Sequence, residues 1–256
     1  MKYNELAEIY DAENEHHAML QEDVPFFLGQ LQQRKLDILE IACGTGRVAI
    51  PLAQAGHRVT AIDFDPRMIE IARRKAQFVG LTEKEISFIK ADALSLRLNR
   101  RFDWAGIFFN TFLAFATLEQ QDKCLRSVAR HLKRNGRLFL DILHPNVVLL
   151  AQEKSVGLDP HLFFAPSLGT SVLKTIDVVR DPAKQLEKVT FRYRWHDANG
   201  RPRQKTMKFD MTFIFPRELQ LLLERHGFVL EHLWGNYDGS ELQADSPRMI
   251  ARARLR

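Results

Sequence analysis

Cysteine is scarce in this 256-residue chain. Cys43 and Cys124 are its two cysteines, widely separated, which excludes a disulfide framework and leaves both as small buried residues of a reduced protein. Long apolar runs are missing as well. No stretch has the length of a membrane span, and the N-terminus shows no secretory signal pattern. No membrane partner is therefore expected, and a cytoplasmic location is. Internal repeats and low-complexity segments are also absent, which excludes a solenoid. Nor is there a concentrated basic patch. The 37 Lys and Arg against 32 Asp and Glu give a net charge of +5, but the basic groups at 97–101, 73–75, 201–205 and 252–256 are short and lack interleaved aromatics. They read as a solvated basic face, not a nucleic-acid surface. No metal is expected.

What is present is a glycine turn in a telling place. The run Ile38-Leu39-Glu40-Ile41-Ala42-Cys43-Gly44-Thr45-Gly46-Arg47 takes an apolar strand through an acid into a glycine-rich turn and then a helix. Glycine lets backbone amides approach a ligand closely, and the helix N-terminus that follows favours a negative group on it. A second strand, 58–62, stops at Asp63, whose carboxylate is placed to accept from ribose hydroxyls. The pattern announces an adenosine-type cofactor. Taken alone, Gly44-Thr45-Gly46-Arg47-Val48-Ala49 fits the loose dinucleotide fingerprint G-x-G-x-x-G/A with its later acid, so a nicotinamide dinucleotide also matches at this level.

The surrounding residues separate the two. Leu39-Glu40-Ile41-Ala42-Cys43-Gly44-Thr45-Gly46 resembles the first motif of class I S-adenosylmethionine-dependent methyltransferases, with alanine for the first glycine, a small-for-small change expected to be tolerated. Val59 to Ile69 is similar to the second motif, Phe88-Ile89-Lys90-Ala91-Asp92-Ala93 to the third, and Leu132 to Leu140 to the family's LKPGGxLxL segment, with Asn135 in place of proline. Four motifs in order over residues 36 to 143 are more specific than one glycine loop. The resemblance implies S-adenosylmethionine as cofactor and S-adenosylhomocysteine as product. By the same resemblance Glu40 and carbonyls near Ala42 take the ammonium, backbone amides around Gly44 to Arg47 take the carboxylate, and Cys43, Gly44 and Gly46 are counted among the cofactor contacts. Asp63 takes the ribose, Phe64 or Met68 packs on adenine, and Asp92 with the Ala93 amide reaches the adenine edge. Tyr10-Asp11 resembles a "YD" element whose tyrosine folds over the methionine end; its plain alternative is an amphipathic-helix core residue beside Leu6 and Ile9. Each acid also has a structural alternative, as a strand-end or cap residue.

The periodicity gives a doubly wound α/β fold. Helices are expected over 3–20 and 24–34, the second opened by Pro25. Strands are expected at 36–41, 58–63, 86–90, 103–109 and 137–143, with helices near 46–56, 66–79 and 119–134. Ligands on such sheets bind at the carboxyl ends of strands, where Glu40, Asp63, Asp92 and Asn110 fall. After His144 the character changes. Residues 146–169 read as a helix-poor connector, followed by antiparallel strands at 171–180, 186–196 and 203–214, with turn signals at Asp181-Pro182 and Asn199-Gly200. A helix from Pro216 to His226 and strands at 228–234 and 248–254 complete the chain. The resemblance makes this a mostly parallel seven-stranded sheet whose last strand runs antiparallel between its neighbours. The implied division is 1–145 (helices and cofactor core), 146–215 (inserted antiparallel lid) and 216–256 (completing the core).

The resemblance also places Phe109 and Asn110 against the cofactor, with Phe112, Tyr193 and Phe213 toward the substrate, although an antiparallel sheet needs one buried face and claims most such aromatics for its core. Asn110-Thr111-Phe112 lacks the Pro-Pro-aromatic tetrad of enzymes acting on exocyclic amines of bases or on glutamine, and the Pro-Cys nucleophile of cytosine C5 enzymes is missing too. No obligatory catalytic base is exposed; His144, just past the fifth strand, is the candidate. The implied activity is SN2 methyl transfer to N, O or C of a small molecule. The alternatives are an RNA or protein methyltransferase, a non-catalytic cofactor-binding regulator and, more distantly, a nicotinamide-linked oxidoreductase. A homodimer is compatible with all of these.

Overall fold

A computed structural model describes residues 6–15, 18–31 and 34–256. The chain begins with α1 (Ala7–Glu15) and α2 (Ala18–Gln30), then alternates β1 (Asp37–Ile41), α3 (Ala49–Gln54), β2 (Arg58–Asp63), α4 (Pro66–Phe78), β3 (Ile86–Lys90), β4 (Phe102–Ile107), α5 (Leu118–His131) and β5 (Leu132–Leu143). A short α6 (Val147–Leu150) leads into four long strands, β6 (Lys154–Ala165), β7 (Thr170–Asp181), β8 (Leu186–His196) and β9 (Pro202–Thr212). The chain then closes with α7 (Pro216–Arg225), β10 (Phe228–Trp234) and β11 (Arg248–Leu255).

Two sheets result. The first has seven strands in the order β10-β11-β5-β4-β1-β2-β3, and the second has four in the order β6-β7-β8-β9. Strands β1 to β5 pair in parallel, whereas β11 runs antiparallel to both β5 and β10. This is the doubly wound fold expected, including the inserted final strand. Parallel strands flanked by helices are buried on both faces and need near-continuous apolar runs. Ile38 and Leu39, neighbours on β1, accordingly feed two separate cores. Leu39 joins residues of α5 and α7 on one face, and Ile38 joins α2, α3 and α4 on the other. No helix among the described residues is long and apolar enough to cross a membrane.

Several boundaries differ from the sequence expectation, for physical reasons. Pro25 lies inside α2 instead of opening it. An interior proline costs about 3 kcal/mol, but the helix is pinned by Phe27, fully buried with its ring centroid 4.5 Å from Phe139 and 4.9 Å from Phe108. Burial of such a ring contributes about 1.5–3 kcal/mol, and each aromatic contact about 0.5–1.5 kcal/mol more. Together they outweigh the proline. The expected first helix, 3–20, is observed as α1; residues 1–5 and 16–17 of the chain, and 32–33 near the end of the expected second helix, lie outside the described residues. Helix α5 ends at His131, three residues early, and β5 begins at once, irregularly, with Asn135 in left-handed backbone. The 146–169 connector is largely strand β6. Its alternation is broken by two register irregularities between Ser155 and His161, with Gly157 and Asp159 both at positive φ, and bulges of this kind erase a period-two pattern.

Candidate active site

The site is assembled at the carboxyl ends of the parallel strands. Ala42, Gly44 and Gly46 all adopt positive φ, at 55°, 55° and 81°, so the chain leaving β1 coils tightly before α3. Asp63, at the end of β2, fixes this turn: its Oδ2 accepts from the Gly44 amide and its Oδ1 from the Asp65 amide, both at 2.9 Å. Asp65, not Asp63, caps α4, accepting from the Arg67 amide at 3.0 Å. Burial raises the Asp63 carboxyl above the usual carboxylate range, opposed by those two amide hydrogen bonds.

Helices α1 and α2 are strapped across the turn. Asp11 accepts from Thr45 Oγ1 at 2.6 Å and pairs with Lys75 at 2.9 Å, while Arg47 makes a bidentate pair with Asp23 at 2.8 and 2.6 Å. Tyr10 lies directly over Gly44, where a Cβ would stand 3.9 Å from its ring. Burial pushes its hydroxyl pKa far up, so it stays protonated.

A cavity of about 1050 Å³ opens here. It is lined on the cofactor side by Tyr10, Ala42 and Gly44, by Asp63, Phe64 and Met68, by Asp92 and Ala93, and by Phe109 and Asn110. Three expected contact residues lie elsewhere. Cys43 turns into the α2–α3–α4 core, its thiol pKa driven up by burial. The Gly46 Cα faces the side chains of Ile50 and Phe88, 3.1 and 3.3 Å from where a Cβ would be. Glu40 sits behind the cavity wall with Oε2 lacking a partner. Burial raises its pKa to about 8, with Arg47 opposing and Asp23 and Asp63 reinforcing the shift. The Ala42 backbone, not the Glu40 side chain, is the part of that pair facing the cavity.

On the opposite side the wall is the inner face of the four-stranded sheet, including Phe191, Phe209, Met211 and Phe213, together with Leu143 and His144 past β5. Two of the three expected substrate residues do not reach it. Phe112 is fully buried in the core beneath the Thr111–Ala114 turn, because neighbouring Thr111 and Leu113 take the cavity face. Tyr193 is fully buried where the far half of the sheet packs on Leu6 and on Ile9 of α1, its hydroxyl donating to Glu13 at 2.9 Å. The Nδ1 of His144 lies 3.1 Å from the Ser246 carbonyl. Since a carbonyl only accepts, the neutral ring carries its proton on Nδ1 and keeps the Nε2 lone pair.

Asp141 and Arg248 escaped the sequence reading, though Asp141, set in the apolar run Leu138 to Leu143, was a usable signal. Asp141 accepts from the Phe109 amide (3.0 Å), Tyr237 Oη (2.9 Å) and Arg248 Nη2 (2.5 Å), and its own carbonyl takes the Asn110 amide at 3.1 Å. Phe109 and Asn110 both hold positive φ, 49° and 65°, a strained pair kept in place by this network. Glu13, bonded to Tyr193 and Lys174, escaped notice for lack of any local signal.

The donor set fits S-adenosylmethionine. Asp63 and Asp92 bring carboxylates to the cavity lining, beside the Ala42 and Gly44 backbone. These acceptors suit a donor-rich ligand, and the methionine ammonium, ribose hydroxyls and adenine amine are donors.

A sheet of this order, with a glycine turn after β1, an acid ending β2 and a cavity at the strand ends, has the form of a cofactor-binding α/β fold. Comparison with known proteins names its kind. A family model described as a methyltransferase domain matches residues 38–136. The chain is 27% identical to the cypemycin N-terminal methyltransferase of Streptomyces sp over 213 residues, 83% of this chain and 80% of that one. Its fold is similar to an S-adenosylmethionine-dependent methyltransferase from Clostridium acetobutylicum (TM-score 0.80, 18% identity, 99% and 98% of the two chains). It is also similar to SAM-bound CalS10, an amino pentose methyltransferase from Micromonospora echinaspora (TM-score 0.69, 17% identity, 94% and 91%). These findings support a class I S-adenosylmethionine-dependent methyltransferase, on a family match that spans residues 38–136.

Proposed function

We propose that this enzyme methylates a nucleophilic atom of a small molecule in the cytoplasm. One observation carries the reading: a single cavity joins the strand ends that hold Asp63, Asp92 and Asn110 to the aromatic face of the antiparallel sheet. Donor and acceptor would share one chamber closed by α1 and by the sheet. The fold neighbour CalS10, an amino pentose methyltransferase, points the same way.

S-adenosylmethionine, when bound, supplies a methyl group already activated by the positive sulfur. The protein's part is then alignment and exclusion of water, and alignment alone can supply about 7–11 kcal/mol. Asp63 would orient the ribose while holding the glycine turn. Asn110, its backbone fixed by Asp141, would shape the wall at the reacting end. His144 would take a proton where the acceptor needs to lose one.

Calorimetric titration tests this reading. S-adenosylhomocysteine should bind with micromolar affinity, and Asp63→Ala should abolish binding while circular dichroism shows a folded protein. Binding of NAD in place of S-adenosylhomocysteine would sink the reading.

A further inference from the structure

The acceptor half of the cavity is selective in charge. Three cationic side chains line the cavity among the described residues, Lys174, Arg180 and Arg248, and each already holds a carboxylate. Lys174 pairs with Glu13, Arg180 with Glu187 at 2.8 Å, and Arg248 with Asp141 at 2.5 Å. Arg180 is further committed to Ser155 Oγ at 2.8 Å and the Gln152 carbonyl at 3.2 Å. Around these pairs the sheet presents Ile176, Val178, Val189, Phe209 and Met211, a continuous apolar wall. Asp159 and Asp245, both exposed cavity-lining residues, bring carboxylates with no cationic partner among the described residues.

This arrangement discriminates. A phosphate or carboxylate entering the chamber would lose its hydration and find no uncommitted cation, and recruiting one would strand a buried carboxylate. A positively charged amine meets the opposite situation: Asp159 and Asp245 attract it at the rim, and the apolar wall accepts its hydrocarbon body. We propose, resting on the methyltransferase reading above, that the acceptor is an amine on an extended apolar body, free of phosphate and carboxylate groups. Nucleotide-linked acceptors fall outside this class.

The chemistry closes on that assignment. The amine sheds its ammonium proton to water at the mouth, which frees the lone pair. Nitrogen then forms the new N–CH3 bond as the S–CH3 bond breaks, and the bonding pair stays on sulfur as a neutral thioether. The methylated nitrogen emerges positively charged and releases a second proton to water. The desolvated apolar wall favours the neutral amine over its ammonium at the moment of attack.

The test uses the whole chain saturated with S-adenosylhomocysteine, titrated with ω-phenylalkylamines of increasing chain length and with the matching ω-phenylalkyl carboxylates and phosphates. The same compounds are then offered as acceptors with S-adenosylmethionine. Expected results are binding that tightens with chain length, at least tenfold preference for the amine over either anion, and mass gain of one methyl on the amine. The double variant Asp159→Asn, Asp245→Asn should raise KM for the amine several-fold and leave S-adenosylhomocysteine affinity unchanged. Equal or tighter binding of an anionic member overturns the proposal, as does failure of every amine to bind, or an unmoved KM. Failure of S-adenosylhomocysteine itself to bind would instead bring down the methyltransferase reading.

Discussion

Arg248 Nη2 and Asp141 Oδ1 meet at 2.5 Å with both side chains fully buried. The pair lies beneath the turn after β4 and holds it through the Phe109 and Asn110 amides. Breaking a buried pair by removing one partner costs about 3–5 kcal/mol, because a buried charge is left uncompensated. Arg248→Met should therefore lower stability by about that amount in urea unfolding. The double variant Arg248→Met, Asp141→Asn should recover part of it, since no charge remains buried. In the double variant kcat should stay depressed, because the turn has still lost its anionic acceptor. A double variant no more stable than the single would show that the pair's charge is not what matters.

Glu40 makes stability depend on pH in an unusual direction. Its folded-state pKa is raised from 4.5 to about 8 by burial, so the folded protein binds this proton more tightly than the unfolded chain does. The resulting stabilisation is complete below the unfolded value and is lost as pH climbs through about 8. Thermal unfolding from pH 5 to 9 should show a decline that Glu40→Gln removes. A variant with the same slope as the native protein would assign the decline to other groups.

The residues legible in the sequence are those whose chemistry is local. The glycine turn, Asp63 and Asp92 could be placed beside the cavity because each follows directly on a strand whose carboxyl end the sequence marks. Strand β6 was illegible because its bulges at Gly157 and Asp159 destroy the alternation that betrays strands. Phe112 was misplaced because a 3-10 turn, not an extended segment, decides which of three consecutive side chains faces the cavity. The Glu13–Lys174 and Asp141–Arg248 pairs join residues far apart in the chain, and no single-sequence pattern encodes such a meeting.

Ala42 carries a cost the sequence did not reveal. It stands at φ 55°, a left-handed conformation that disfavours a residue with a Cβ by about 1–2 kcal/mol. Glycine would relieve this, against about 0.4–1 kcal/mol for the freer unfolded chain. Ala42→Gly should thus raise stability by up to about 1.6 kcal/mol in denaturant titration. A destabilised variant would mean that the alanine methyl makes contacts worth more than its strain.

Glu13 joins the two halves of the enclosure. From α1 its carboxylate takes Lys174 and the Tyr193 hydroxyl of the four-stranded sheet, while Asp11 on the same helix holds Thr45 and Lys75 of the cofactor core. Helix α1 has nine residues, too few to hold its shape without tertiary contacts. Glu13→Ala leaves Lys174 without its carboxylate, but helix detachment limits what the variant can lose globally. The expected signature is therefore local. Hydrogen exchange should accelerate in Ala7–Glu15 and S-adenosylhomocysteine should dissociate faster, whereas amides of β1 and β4 keep their protection. Glu13→Gln, which can still accept from the Tyr193 hydroxyl, should fall between the two. Uniform acceleration across the seven-stranded sheet would instead make Glu13 an ordinary core residue and dissolve its role as the latch between core and lid.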